Sequence, residues 1–333
     1  MKEMFSFPIS RTSIEEYGGV QGLQQSIRKL NCSGIEAIWG GDNAIERMPK
    51  EIVIGYHLIF YPDWIDFWKG NEKRLIKKFG DRETYHSFYG GWDRSCLIRQ
   101  YREDLHRAER LKVRYVVFHV SDVSIEEGYS YRWEHTDNEI IDATAELINL
   151  LTAEREYPFE ILMENQWWPG LTLTDPKKTK RLLDQVNTPR KGLMLDTGHL
   201  MNTNPRLETQ HDGVEYLIRM LQEHGELCQY VHGVHLHQSL SGRYVREHMG
   251  NVPREASGKY LDQYAQNYSH ILRIDQHHPW TDPGIRRLFA YISPNYLTHE
   301  LRAKTPEDRE AAVMIQRSAL RTDRQNKYDI CDF

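Results

Sequence analysis

The sequence predicts an α/β protein built as a single (β/α)8 barrel. Three observations support this: eight short strand-like apolar runs occur along the 333 residues, helical patterns separate most of them, and several runs end in histidine or a carboxylate. In such a barrel the carboxyl ends of all strands meet at one mouth. A doubly wound open sheet is the rival fold, but the glycine-rich first turn that usually accompanies it is absent from the sequence.

The strands are predicted from apolar runs of strand length, often bounded by turn residues. These runs cover residues 4–10, 34–39, 51–57, 115–119, 159–164, 193–196, 230–236 and 295–300. Between them, apolar residues at helical spacing predict helices. The predicted helices cover residues 14–30, 97–111, 140–151, 176–186, 214–221 and 285–292. We expect one domain, with a barrel core over about 4–300 and a helical tail over 301–333.

Two long segments interrupt this rhythm, after the third and seventh predicted strands. Residues 61–93 are rich in tryptophan, tyrosine and phenylalanine, and residues 239–273 are polar and tyrosine-rich. Loops this long in a compact domain are usually functional, so both are expected to rim the barrel mouth as lids or binding walls. An oligomer contact or an aromatic-stabilised surface helix is the alternative for each.

Composition excludes several classes of protein. A net charge of −5 argues against a globally basic nucleic-acid binder. The four cysteines have no C-x-x-C spacing, which indicates neither a disulfide framework nor a cysteine zinc site. No signal-peptide pattern or membrane-spanning run is present, so a cytoplasmic location is expected. The oligomeric state is left open.

Ligand-type residues recur at the predicted strand ends. Segment 193–199, LMLDTGH, is the clearest case, because an apolar run ends in Asp196 and His199 follows three residues later. Alone, it fits a metal site and an N-cap aspartate or threonine followed by a surface histidine equally well. Similar segments end the third, fourth, fifth, seventh and eighth runs, and a further one lies between the last two runs. They are GYH at 55–57, VFH at 117–119, LMEN at 162–165, VHLH at 234–237, DQHH at 275–278 and LTHE at 297–300.

In this order, these segments resemble the xylose-isomerase-like TIM-barrel superfamily, and within it the endonuclease IV (AP endonuclease family 2) branch. The resemblance covers about residues 4–300 and is patchy in the two long segments. It implies three metal sites. They are His57, His119 and Glu164 for the first, Glu164, Asp196, His235 and Glu300 for the second, and His199, Asp275 and His277 for the third.

Mixed imidazole and carboxylate ligands suit zinc, manganese or iron better than magnesium or calcium. Two or three divalent ions per chain are therefore expected, with zinc favoured. The resemblance implies that they activate water and stabilise the leaving oxygen in phosphoester hydrolysis, with Glu164, Glu300 and His199 as catalytic residues. A small phosphorylated or sugar substrate is favoured over DNA, because the sequence shows no basic stripe and the long segments would reshape a DNA groove.

Sugar or sugar-phosphate isomerisation or epimerisation is the alternative activity. It would need one metal at Glu164, Asp196, His235 and Glu300, with carboxylates moving a proton. A barrel that only binds a ligand is a third possibility, because a fold does not fix a function.

Four further residues are predicted to contact substrate or support the ligands. Their aromatic rings suit a sugar or base face, although packing at the barrel rim would explain the two tryptophans equally well. These residues are Tyr61, Trp167, Trp168 and His237. His278 and His299 are interpreted as neighbours of the ligands, and His248 is the less favoured competitor of His277 in the third site.

Overall fold

The structure, a computed structural model, describes residues 1–252 and 260–321. Its eight parallel strands form a closed barrel in sequential order, which confirms the predicted fold class. The strands are β1 (Lys2–Ile9), β2 (Gly34–Trp39), β3 (Val53–His57), β4 (Tyr115–His119), β5 (Glu160–Glu164), β6 (Lys191–Asp196), β7 (Val231–Leu236) and β8 (Tyr296–His299).

Helices surround the barrel and fill the long connections. They are α1 (Arg11–Glu16), α2 (Val20–Lys29), α3 (Ile65–Trp68), α4 (Glu72–Phe79), α5 (Arg82–Tyr89), α6 (Ser95–Leu111), α7 (Ile125–Ser130), α8 (Asp137–Thr152), α9 (Pro176–Gln185), α10 (Thr197–Asn202), α11 (Gln210–His224), α12 (Gly242–His248), α13 (Tyr260–Ile274) and α14 (Pro306–Leu320). Short 3₁₀ helices cover Asn43–Arg47, Lys50–Ile52, Gly225–Tyr230 and Pro283–Ala290.

One predicted helix is wrong. Residues 14–30 form two helices, α1 and α2, rather than one. Gly18 and Gly19 separate them with φ angles of 72° and 92°, which place both residues outside the right-handed helical region. The apolar spacing from Val20 onward is real, and α2 buries Leu23 and Ile27 through it.

The two long segments are largely helical. Residues 61–93 contain α3, α4 and α5, whose aromatic side chains pack on each other, with Phe67 and Tyr89 stacked at 3.9 Å. Within 239–273 lie α12 and most of α13, while residues 253–259 of that segment lie outside the described residues. Of the predicted tail, α14 is described, and residues 322–333 also lie outside the described part.

The apolar core has two main parts. Side chains from the strands pack against the surrounding helices in a large outer layer. A smaller cluster combines residues of six strands and fills the barrel interior below its mouth. This interior cluster contains Met4, Ile54, Tyr115, Val117, Leu162, Met194 and Tyr296. No helix among residues 1–252 and 260–321 is long and apolar enough to cross a membrane.

Candidate metal centre

The ends of six strands bring the predicted ligands to one mouth of the barrel. His57 ends β3, Glu164 ends β5 and Asp196 ends β6. Three groups of histidines and carboxylates result, and within each the potential ligand atoms all lie within 4.8 Å of one another. The groups are His57, His119 and Glu164, then Glu164, Asp196, His235 and Glu300, then His199, His237, Asp275 and His277.

The first group faces one oxygen of Glu164. The Nε2 atoms of His57 and His119 lie 3.4 Å and 3.1 Å from Glu164 Oε2, and 3.0 Å from each other. His57 Nδ1 donates to the carbonyl oxygen of Leu58 at 2.9 Å. That bond places the proton on Nδ1 and leaves the Nε2 lone pair directed at the group.

The second group faces the other oxygen of Glu164. His235 Nδ1 lies 3.4 Å from Glu164 Oε1 and 3.0 Å from Glu300 Oε2. It also lies 3.8 Å from Asp196 Oδ2. Glu164 therefore stands between the two groups, with one carboxylate oxygen directed at each.

Glu36, which was not predicted from the sequence, orients His235. This buried carboxylate accepts from His235 Nε2 at 3.1 Å through Oε2, and its Oε1 lies 3.0 Å away. This bond keeps a proton on Nε2, so Nδ1 is the nitrogen of His235 that faces the second group and is available as a ligand. Tyr115 and Thr298 donate to Glu36 at 2.6 Å and 3.0 Å and fix it in turn. The only sequence signal was a carboxylate within the apolar run 34–39.

The third group surrounds Asp275. Asp275 Oδ2 lies 3.3 Å from His199 Nε2 and 2.5 Å from His277 Nε2. His277 has a φ of 51°, a left-handed conformation that is uncommon for a residue with a side chain. Its Nδ1 donates to the carbonyl oxygen of Glu300 at 2.9 Å, which fixes the ring. The structure adds His237 to the three residues expected here.

Asn165 and the cap of α10 hold Asp196 and His199 in place. The Asn165 side chain donates to the Asp196 carbonyl at 3.0 Å and accepts from its backbone N–H at 2.8 Å. Asp196 Oδ1 accepts from the backbone N–H of His199 at 2.6 Å, so this carboxylate is also the N-cap of α10. The N-cap alternative for Asp196 is thus correct, and His199 is buried rather than on the surface.

The charge state of the centre is set by contacts between carboxylates and imidazoles. Burial alone would raise the pKa of Glu164, but His119 and His235 hold it well below its usual value. Burial would likewise lower the pKa of His235, but Glu36, Glu300 and Glu164 raise it well above its usual value. Among the described residues, the ion pairs of Glu164, Asp196 and Glu300 are all with histidines. The protein thus supplies negative charge and imidazole here, without lysine or arginine.

Divalent metal ions fit this set of donors. Glu164 Oε2, His235 Nδ1 and Glu300 Oε2 are buried, and although histidine or carboxylate atoms lie near them, none of those contacts has hydrogen-bond geometry in the described structure. Buried polar atoms normally have partners, and bound ions are one explanation for exceptions. Mixed imidazole and carboxylate donors favour zinc, manganese or iron, as expected. The part each residue plays as a ligand stays a prediction.

The other neighbouring histidines lie outside the three groups. His299 is buried and bonded through Nδ1 to Gln316 at 2.9 Å. His248 Nδ1 donates to the Tyr244 carbonyl at 2.8 Å. The backbone of His278 pairs with Gln238 in both directions. None of the three histidines belongs to a group of potential ligands found among the described residues.

Most of the residues predicted to contact substrate are buried. Trp167 and Trp168 are buried, with ring centroids 4.0 Å apart and Trp167 5.0 Å from the His199 ring. They pack with Val123 and other apolar residues, as the packing alternative expects. The Tyr61 hydroxyl donates to Gln100, and its ring packs on Tyr89. Substrate contact by these residues stays a prediction.

Phe60 is an aromatic residue at the mouth that was not predicted from the sequence. Its side chain is 46% exposed, and its ring stacks on His119 at 4.3 Å. It also meets His57 edge-on at 6.0 Å. His119 and Glu300 keep side-chain exposures of 16% each, so this side of the centre is open to solvent.

Several solved structures resemble this chain over most of its length. No curated protein matches the sequence. A D-tagatose 3-epimerase-like protein has 16% identity and a TM-score of 0.49, covering 96% of this chain and 97% of its own. Endonuclease IV from Thermus thermophilus has the same identity and TM-score, covering 96% and 99%. The IOLI protein with a bound zinc atom has 13% identity and a TM-score of 0.47, covering 96% of each chain.

A family profile described as xylose isomerase-like TIM barrel matches residues 25–311, which is most of the chain. That match agrees with the superfamily indicated by the strand-end segments. The chain belongs to the xylose isomerase-like TIM-barrel family.

Proposed function

We propose that this protein is a divalent-metal-dependent hydrolase that cleaves a phosphoester at a di- or trinuclear centre. The observation that carries the proposal is the position of Glu164 between two donor groups. Its Oε2 contacts His57 and His119, and its Oε1 contacts His199 and His235. A shared carboxylate of this kind suits a centre of neighbouring ions that clamp one phosphoryl group.

Bound divalent ions would supply an activated water and offset the charge that develops on the phosphoryl and leaving oxygens. The chain's own residues set the geometry. Glu164 holds the first two groups together, while Glu36 orients His235 through its Nε2–H. Glu300 lies at the solvent-facing edge, 3.0 Å from His235 Nδ1, where a carboxylate can accept a proton from water or from substrate.

The surroundings favour a small phosphorylated or sugar substrate over DNA. Phe60 offers one exposed aromatic face beside the first group, which suits stacking on a sugar or base. Arg302 adjoins the third group along the backbone, because its N–H donates to the His277 carbonyl, and the residue is exposed. An exposed aromatic face and an adjoining cationic residue suit a phosphoryl group carried on a small sugar.

The experiment is hydrolysis of chromogenic phosphodiester and phosphomonoester substrates by metal-loaded protein, with Glu164→Gln as the test variant. Glu160→Gln is the matched control, because Glu160 begins the same strand and bonds to His232 away from the centre. We expect activity in the wild type and the control, and a loss of about a thousandfold in Glu164→Gln, since ion clamping contributes several kcal/mol. Equal activity in Glu164→Gln would contradict the proposal.

A second candidate is sugar or sugar-phosphate isomerisation or epimerisation. The observation that favours it is that Glu164, Asp196, His235 and Glu300 form a four-donor group by themselves. Such a group could hold one ion that polarises a carbonyl while a carboxylate moves a proton. Solvent deuterium would then enter carbon-bound positions of a candidate sugar, and Glu300→Gln should stop the exchange. Exchange that persists in this variant would exclude Glu300 as the base.

A further inference from the structure

His237 lies between the second and third groups of the centre. It follows β7 and its side chain is fully buried. Its Nε2 lies 2.9 Å from Asp196 Oδ2, a residue of the second group. Its Nδ1 lies 4.0 Å from Asp275 Oδ1, a residue of the third group. One imidazole therefore spans the two groups.

The bond to Asp196 decides which nitrogen carries the proton. A carboxylate oxygen accepts hydrogen bonds, so the neutral His237 ring donates from Nε2 and keeps a lone pair on Nδ1. Within the described structure, that Nδ1 atom is buried and has no hydrogen-bond partner. An unpartnered buried acceptor is costly, and a bound cation would satisfy it.

The other two imidazoles of the third group are oriented in the same way. His199 Nδ1 donates to the Asn165 carbonyl at 3.0 Å, which leaves Nε2, 3.3 Å from Asp275 Oδ2, as the nitrogen that faces the site. His277 Nδ1 donates to the Glu300 carbonyl, which leaves its Nε2 directed at the same oxygen. Each ring thus has one anchored N–H and one nitrogen free for a ligand bond.

The backbone at Gly198 leaves the space that the His237 ring occupies. A Cβ at Gly198 would lie 2.0 Å from His237 Cε1 and 2.3 Å from its Nδ1, so any larger residue at 198 would displace the ring. Thr197 Oγ1 accepts from the backbone N–H of His237 at 3.1 Å. The ring also stacks on His277, with centroids 4.1 Å apart and planes 2° from parallel. These contacts fix the side chain before any ion binds.

We propose that His237 Nδ1 is the fourth protein donor of the third metal site, beside His199, Asp275 and His277. This rests on the proposed metal centre. Four protein donors are typical of a closed, structural site, whereas catalytic sites keep an open position. The third ion would then fasten residues 275–278 to the barrel mouth, and stabilisation of the leaving oxygen would be left to ions held by the first two groups. His237 would also couple the sites, because its other nitrogen holds Asp196.

The test is metal content by elemental mass spectrometry of His237→Asn, with His277→Ala as the reference variant. His278→Ala is the matched control, because its histidine adjoins the site but belongs to no donor group in the described structure. We expect His237→Asn and His277→Ala each to lose one equivalent and His278→Ala to lose none. A full metal complement in His237→Asn would overturn the proposal, whether or not His277→Ala loses an ion.

Visible absorption of the cobalt(II)-substituted wild type gives a second readout that needs no variant to fold. We expect one bound cobalt to show the intense bands of four-coordinate geometry and to keep them when inorganic phosphate is added. Bands that change with phosphate at every bound ion would overturn the closed site. Neither readout depends on turnover, so a failure of the proposed hydrolysis and a failure of this assignment are distinguishable.

Discussion

Two regions of this barrel bury several carboxylates, and they balance the charge in different ways. One is the metal centre, and the other is an anchor cluster of Asp63, Asp66, Asp122, Lys78 and His135, which joins α3 and α4 to the loops after β4 and α7. In the anchor cluster, Lys78 Nζ lies 2.8 Å from both Asp63 Oδ1 and Asp66 Oδ2. In the metal centre, the ion pairs of Glu164, Asp196 and Glu300 are only with histidines among the described residues.

The difference separates a structural cluster from a candidate binding site. Burial would lower the pKa of Lys78, but Asp63 and Asp122 raise it, so the ammonium stays charged. Asp122 Oδ1 accepts the backbone N–H groups of Trp64 and Ile65 at 2.7 Å and 3.0 Å and so ties α3 to the barrel. The anchor cluster carries its own fixed cation, whereas the metal centre holds imidazoles whose nitrogens can exchange a proton for a divalent ion.

The largest expected effect comes from removing the fixed cation. Lys78→Met should lower the free energy of unfolding by about 3–5 kcal/mol, because it leaves buried carboxylates unpaired. Metal content should not change. The matched control is Lys77→Met, whose side chain is 71% exposed and 3.8 Å from Glu134, and it should stay within about 0.5 kcal/mol of wild type. Urea unfolding measures both, and equal effects would mean that the anchor is not structural.

Metal removal should lower stability through the metal centre and leave the anchor cluster unchanged. Ions that bind the folded chain stabilise it by about 2.7 kcal/mol per site at a hundredfold excess over Kd. We therefore expect chelation to lower stability by a similar amount in wild type and in Lys78→Met. Unfolding with and without chelator measures this increment. An increment that disappears in Lys78→Met would show that the two regions are not independent.

Glu36→Gln should weaken metal binding about 10–100-fold, because a carboxylate that bonds to the far nitrogen of a ligating histidine orients its ring. Glu3→Gln is the control, since Glu3 contacts His299 outside the centre at 3.5 Å. Competition with a chromogenic chelator measures the affinity of each chain. Unchanged affinity in Glu36→Gln would argue against the assigned role of Glu36.

The smallest expected effect is a pH dependence of the anchor cluster. Although burial opposes it, His135 and Lys78 lower the pKa of Asp66 to about 2, below the value of about 3.9 for an unfolded chain. A carboxyl group whose pKa is lower in the folded than in the unfolded chain stabilises the fold at pH values above the unfolded pKa. This stabilisation is lost as the pH falls through the folded pKa. The stability advantage of wild type over Asp66→Asn should thus be constant above about pH 5 and shrink below about pH 4. Urea unfolding from pH 6 to 3 measures it, and a constant difference would contradict this pKa.

The barrel could be predicted because each strand is a local apolar run and because several of these runs end in histidine or a carboxylate. Asp196 and Glu164 stand out in the sequence for this reason. The break between α1 and α2 was also visible in principle, since Gly18 and Gly19 are adjacent. Helical spacing of the following apolar residues outweighed that signal in the prediction.

The missing parts of the site depend on contacts between distant residues. The role of Glu36 in the site depends on its hydrogen bond to His235, which lies 199 positions later in the chain. The place of His237 depends on Gly198 and on the direction of one hydrogen bond, and neither follows from spacing. The anchor cluster likewise joins residues of separate segments of the chain, so a local pattern does not reveal it.

The most direct test of the metal centre is the metal content of protein purified without chelator or affinity nickel, compared with Glu164→Gln and Glu160→Gln. We predict two or three equivalents in wild type and in Glu160→Gln. Because Glu164 faces two groups, Glu164→Gln should lose more than one equivalent. One equivalent or fewer in wild type, unchanged by Glu164→Gln, would contradict a polynuclear centre.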